Sequence, residues 1–416
     1  MAPNLEILAV IGIVIVLAFL GSKGMSRFGI PQVVGFILTG VILGSSFLNF
    51  VPLSLSKELS FISEIALGLI GFEIGSHLHF SELRSMGKSI FFILIGEALG
   101  AFVLVAAGVF LLSGSDYTAL VFGALATATA PAATVDVLAE YKAKGPLTTT
   151  LLAVVGLDDA LALVLFSISS SLAVVLLSGT GQIDWLAMIK LPLLEIGGAV
   201  LIGVVVGIFL QWALGKLRGQ DHALCAFIVG NVLLAAGLAN TIGASLILAT
   251  MTIGIMLANY KTDLSSYAQC VISRIGPLIY ILFFVLLGTR LEFGVLPKMG
   301  LLGLVYILLR SAGKFGGAWL AGWLGKAKEQ VRDNLGFGLL SQAGVAVGLA
   351  LSIAGRFDAY GEAGVQLGST VINVITATTF VVQIIGPIMV KYAITRADEV
   401  GKMGNGEDLS ASINNI

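Results

Sequence analysis

Long apolar runs recur from one end of the 416-residue chain to the other. A run of about 18 or more apolar residues is long enough for a helix to cross the hydrocarbon core of a bilayer. Only 11% of the residues are charged and 57% are hydrophobic, whereas soluble domains carry about 25% charge. A soluble globule with so few charges could not cover its surface. The reading is therefore an all-α polytopic membrane protein. Gly at 52 and Pro at 9 fit neither collagen nor a disordered chain. A net charge of −1 suggests no nucleic-acid partner. Cys225 and Cys270, with His77, His79 and His222, are too few and too scattered for a disulfide scaffold, a metal cluster or a cofactor site.

Apolar runs bounded by charges and turn residues predict thirteen spans: 5–21, 31–49, 58–76, 89–112, 117–140, 146–178, 185–213, 222–238, 241–259, 271–289, 299–325, 331–355 and 363–393. The break between 222–238 and 241–259 rests on Asn240 alone. The first span has no basic residue ahead of it, only Glu6, and reads as an uncleaved helix. Threading the chain alternately places sixteen of the 23 Lys and Arg on one side and five on the other. The positive-inside rule puts the richer side in the cytoplasm, with the N-terminus outside and the C-terminus inside. Residues 394–416 form a short polar cytoplasmic tail.

An internal repeat is visible. Gly75-Ser-His-Leu-His-Phe80 is echoed by Gly288-Thr-Arg-Leu-Glu-Phe293, and 37–44 resembles 251–258. The copies are seven spans apart, and an odd separation inverts the second in the membrane. Spans 1–6 and 8–13 are thus expected to form two inverted six-helix repeats joined by a connector helix at about 185–213. Such repeats typify secondary transporters with a site near the midplane.

Charge inside the spans is the sharpest chemical signal, because each buried ion costs at least ~2.5–3.5 kcal/mol on insertion scales. Asp158 and Asp159 are neighbours within an apolar span. Adjacent helical residues point about 100° apart, so one carboxylate can face a cavity while the other meets a partner. A buried carboxylate can hold a proton or a cation, and that competition is what couples two ions. Lys314 needs a counter-charge, and one of the aspartates is the candidate. Arg310 lies one turn earlier, with Glu195 as its possible structural partner. Glu97 shows no evident partner in the sequence and is read as structural or dimer-contacting.

Two spans carry helix breakers. One has Thr127, Thr129 and Pro131; its counterpart has Ser341, Gln342 and Gly344. Proline removes a donor and clashes with the preceding turn. Two broken helices crossing at the midplane would offer carbonyl oxygens and opposed helix ends to an alkali cation.

With these residues assembled, the chain resembles the monovalent cation:proton antiporter superfamily. It is most similar to the second large branch, with bacterial sodium/proton antiporters and potassium efflux antiporters. The motifs are Pro31-Gln-Val-Val-Gly35, Gly71-Phe-Glu-Ile-Gly75, Ala126-Thr-Ala-Thr-Ala-Pro131, Gly156-Leu-Asp-Asp-Ala160, Gly243-Ala-Ser245, Phe283-Phe284 and Gly313-Lys314. The resemblance covers roughly 5–393. It implies a transporter rather than an enzyme, with Asp159 as the ion- and proton-binding carboxylate and Asp158 paired with Lys314; in the mechanism expected from this, oxygens of Thr129 join the aspartates as ligands. It further implies a membrane antiporter domain over 1–393, divided into a dimer domain (about 1–80 and 222–293) and a mobile core (about 88–178 and 299–393). The implied activity is elevator-type, electrogenic exchange of cytoplasmic Na⁺ or Li⁺ for external H⁺ by a homodimer in a bacterial inner membrane. K⁺/H⁺ exchange on the same scaffold is the alternative. An intramembrane aspartyl protease would need its two aspartates on different helices, and the inverted repeat fits a carrier better than a channel.

Overall fold

The computed structural model describes residues 6–178, 189–190, 192–216, 221–260, 262–290 and 300–402. The start of the expected connector, the last residues of the expected second dimer-domain segment (including Leu291-Glu292-Phe293 of the repeat) and the tail beyond 402 lie outside them. Among the described residues every regular element is a helix.

The first half contains α1 (Ile7–Arg27), α2 (Gln32–Leu43), the short α3 (Leu53–Glu58), α4 (Ser60–Ser76), α5 (Phe80–Ser113), α6 (Asp116–Thr127), α7 (Pro131–Glu140) and α8 (Pro146–Ser178). A π-turn at Leu193–Gly197 leads into α9 (Gly198–Lys216). Then come α10 (Asp221–Ile242), α11 (Leu246–Tyr260), α12 (Thr262–Thr289), α13 (Gly300–Leu324), α14 (Glu329–Asn334), α15 (Gly344–Phe357) and α16 (Gly361–Arg396). Seven helical stretches among the described residues are long and apolar enough to cross a membrane, and four shorter apolar helices accompany them.

The α10–α11 break falls later than Asn240. It occupies Gly243-Ala244-Ser245, where Gly243 takes φ +70°. Glycine reaches this left-handed conformation without a Cβ penalty and so ends the helix. Ser245 then accepts the Leu248 amide at 3.3 Å and starts the next one.

The helices pack in two sets. In one, α2 lies against α1 and α12, and α4 against α11 and α12, with α9 and α10 beside α11. In the other, α5 packs along α13, α6 against α5 and α8, and α16 against α15 and α7. The sets meet where α7 touches α2 and α4, α8 touches α4 and α11, and α16 touches α2.

Small residues allow the closest crossings. Gly96 and Gly100 of α5 face Gly317 and Gly313 of α13, and a Cβ at any of the four would overlap backbone or side-chain atoms of the opposite helix. Without a hydrophobic drive between helices in lipid, this backbone contact supplies the association energy.

Candidate functional site

The site is built where two helices are interrupted. α6 ends at Thr127, Ala128–Ala130 are extended, and Pro131 is the first residue of α7. Proline suits that position because its missing N–H has no helical acceptor there and its fixed φ starts the helix. In the second interruption a 3₁₀ turn at Leu335–Leu339 gives way to a non-helical stretch at 340–343, and α15 begins at Gly344. The two interruptions touch, with the Ala130 amide donating to the Ser341 carbonyl at 3.0 Å. The breakers Thr127, Pro131, Ser341, Gln342 and Gly344 therefore all sit at or beside the paired interruptions.

Breaking two helices leaves carbonyls unpaired, and buried carbonyls need donors. Arg310 of α13 supplies them. Its guanidinium donates to Ala126 O at 3.1 Å, Ala128 O at 2.8 Å, Leu340 O at 2.7 Å and Ser341 O at 3.3 Å, so it clamps both interruptions. The expected Arg310–Glu195 pair is not among the ion pairs of the described residues. The reason is geometric: the wholly buried guanidinium is occupied by main-chain oxygens, while Glu195 sits in the π-turn, where its own carbonyl accepts the Ser245 amide at 3.2 Å. Gln342 braces the same junction, donating to Leu125 O at 2.8 Å and accepting from Gln383 at its carbonyl at 3.0 Å.

One turn beyond Arg310, Lys314 is also wholly buried. Its Nζ lies 3.0 Å from Asp158 Oδ2 and 2.8 Å from Thr129 Oγ1, and it donates to the Thr127 carbonyl. The Asp158–Lys314 pairing expected from the resemblance is present in the geometry. A second carboxylate is present as well: Glu97 Oε2 of α5 stands 2.5 Å from Nζ. Sequence reasoning left Glu97 without a partner. The signal was there, since Gly96-Glu97-Ala-Leu-Gly100 and Gly313-Lys314-Phe-Gly-Gly317 are the same pattern with opposite charge.

Asp159 is different from its neighbour. It is 7% exposed and is not among the ion-pair partners of Lys314 in the described residues; its Oδ1 has no hydrogen-bond partner. One turn before it on α8, Gly156 lies against Ile74 of α4 and Met251 of α11, at the seam between the two helix sets. Asp158 is thus tied into one set, and Asp159 belongs to the seam.

A polytopic helical bundle that buries two carboxylates and a lysine beside paired helix interruptions has the marks of a membrane transporter, because ionisable groups within spans mark substrate and ion pathways or proton relays. The model of the sodium/hydrogen exchanger transmembrane family matches residues 12–395, and the chain belongs to that family. It is 28% identical over 357 residues to the ammonium/proton antiporter subunit AmhT of Alkalihalophilus pseudofirmus, covering 83% of each chain. It is 25% identical to a sodium/proton antiporter of Enterococcus hirae, over 82% of this chain and 88% of that one. The Na⁺/H⁺-K⁺ antiporter GerN of Bacillus cereus is also 25% identical, with 90% and 93% coverage. The fold is that of the sodium proton antiporter MjNhaP1 from Methanocaldococcus jannaschii, with TM-scores of 0.72 and 0.76 to two structures at 19% and 18% identity, covering 94% of this chain and 98% of each. The chain is an integral membrane protein of the cation/proton antiporter class.

Proposed function

We propose that the chain exchanges cytoplasmic Na⁺ (or Li⁺) for external H⁺ through Asp159, electrogenically and by an elevator-type movement. The observation that carries this reading is the division of labour within one aspartate pair. Asp158 is held by Lys314 at 3.0 Å, whereas Asp159 is left without that partner at the seam between helix sets. A carboxylate in that position takes either a proton or a cation, and taking both is excluded by competition. Protons from outside neutralise the site, and the less charged core crosses and releases them. A cytoplasmic cation then binds Asp159, with Asp158 and Thr129 oxygens as further ligands, and the core returns. Asp158 leaves Lys314 as the cation arrives, so the charge on the site changes by more than one, as two protons per cation requires.

Thirteen crossings, an N-terminus outside and a C-terminus inside complete the reading. Support for inverted repeats comes from symmetric contacts. Gly40 of α2 approaches Gly288 of α12, and Gly254 of α11 approaches Gly75 of α4. The sequence repeat equates Gly75 with Gly288 and Gly40 with Gly254, so the first contact maps onto the second. The set holding α1, α2, α4 and α10–α12 is the dimer domain of a homodimer; the set from α5 to α8 and α13 to α16 is the moving core; α9 connects them. The relatives named for ammonium and potassium give weight to a second reading, K⁺/H⁺ exchange on the same scaffold.

The test uses purified protein in sealed liposomes with an internal pH dye and a clamped voltage. Na⁺, Li⁺ and K⁺ gradients are imposed in turn. Na⁺-driven, voltage-dependent proton movement that disappears in Asp159→Asn is the expected result. Full activity in Asp159→Asn overturns the assignment, and a response to K⁺ alone moves it to the second reading.

A further inference from the structure

Lys314 has more partners than protons. An ammonium has three N–H donors, and four oxygens crowd this one: Glu97 Oε2, Asp158 Oδ2, Thr129 Oγ1 and the Thr127 carbonyl. Both oxygens of Glu97 and Oδ1 of Asp158 are buried without a hydrogen-bond partner, so Glu97 meets the ammonium as an ion pair while Asp158 Oδ2 accepts one of its hydrogens. The two carboxylates therefore share one cation, and neither is saturated by it.

They do not share it on equal terms. Glu97 follows Gly96 on α5, and Lys314 follows Gly313 on α13, at the crossing where the two backbones touch. Backbone contact fixes the separation of the two Cα atoms, so Glu97 stays within reach of Lys314 as long as α5 and α13 stay packed. Asp158 reaches Lys314 from a third helix, α8, which is not part of that crossing. The standing pair is Glu97–Lys314. The pair free to open is Asp158–Lys314.

We propose that Glu97 is a positioning residue that keeps Lys314 paired while Asp158 turns to the transported cation, and so sets the cation affinity of the site. A buried ammonium with Asp158 as its sole carboxylate would be stranded whenever the cation took that carboxylate, and the cation would have to overcome that penalty in order to bind. With Glu97 in place the ammonium is never stranded, and Asp158 is released more readily. This inference rests on the antiport reading and on Asp158 as a ligand.

The experiment compares wild type with Glu97→Gln and Glu97→Asp in proteoliposomes, using whichever of Na⁺, Li⁺ and K⁺ the wild type transports. Glutamine keeps the shape and removes the charge, so Lys314 turns fully to Asp158. Outer partners of ion ligands typically change affinity by about 10–100-fold when removed. The expected result for E97Q is an apparent KM raised at least about tenfold with the maximal rate largely kept, and E97D lies between E97Q and wild type. A merely structural role would lower the yield of folded protein or the maximal rate and leave KM alone. An unchanged KM in folded E97Q, or a lost maximal rate at unchanged KM, overturns the proposal. If E97Q does not fold, E97D decides it: a raised KM supports the proposal and a wild-type KM overturns it. A wild type silent with every cation overturns the antiport reading and this inference together; an active wild type with an unmoved KM overturns this one alone.

Discussion

Replacing Arg310 with Met removes the clamp on both helix interruptions while keeping much of the side-chain volume. Its closest bonds, at 2.7, 2.8 and 3.1 Å, go to carbonyls of residues 340, 128 and 126. Each buried carbonyl left without a donor costs about 1–3 kcal/mol. Removing the guanidinium also removes its own burial cost, which offsets part of the loss, so the low end applies: about 3 kcal/mol for three carbonyls. At roughly 2–4 °C per kcal/mol for chains of a few hundred residues, the melting temperature in detergent should fall by about 6–12 °C. Arg310→Lys keeps the charge but carries all its donors on one nitrogen, which cannot reach both interruptions at once. It should fall between the two. Thermal unfolding followed by intrinsic fluorescence or by size exclusion after heating reads the effect directly. A melting temperature for Arg310→Met within about 2 °C of wild type would show that the interruptions are held by their own packing and would refute the clamp.

Three further outcomes follow from the same geometry. Lys314→Met leaves Glu97 and Asp158 buried without a cation, a change worth about 3–5 kcal/mol; adding Glu97→Gln should restore part of the lost thermal stability, and a double variant no more stable than the single would contradict the pairing. Gly288→Leu drives a side chain into the Ile37 backbone at a cost of about 1–3 kcal/mol or more, whereas Gly12→Leu enters open space; equal yields of monodisperse protein from the two would refute the close crossing. Glu399 accepts the Leu147 and Thr148 amides and the Thr148 hydroxyl, each at 2.7 Å, and so caps α8 from the far end of the chain; Glu399→Ala should cost about 1–2 kcal/mol, seen as a lower melting temperature, and an unchanged one would show that the cap is idle.

The sequence by itself determined the membrane class, because apolar length and scarcity of charge are local properties that no tertiary arrangement can reverse. It marked Asp158, Asp159 and Lys314 as the chemical centre, since ions are too costly in lipid to be incidental. It also marked Pro131 and Gly344 at the two interruptions, because proline and glycine act on their own backbone. Which groups meet across the bundle was decided only by the tertiary structure. Arg310 and Glu195 carry complementary charges, yet the guanidinium turned to four carbonyls that exist as acceptors only because two helices break beside it. Glu97 lacked a partner on its own helix, and found one where glycines let α5 and α13 touch. Asp158 and Asp159 are chemically identical; the rotation of one residue along α8, set against the packing of two helix sets, binds the first to Lys314 and leaves Oδ1 of the second without a hydrogen-bond partner.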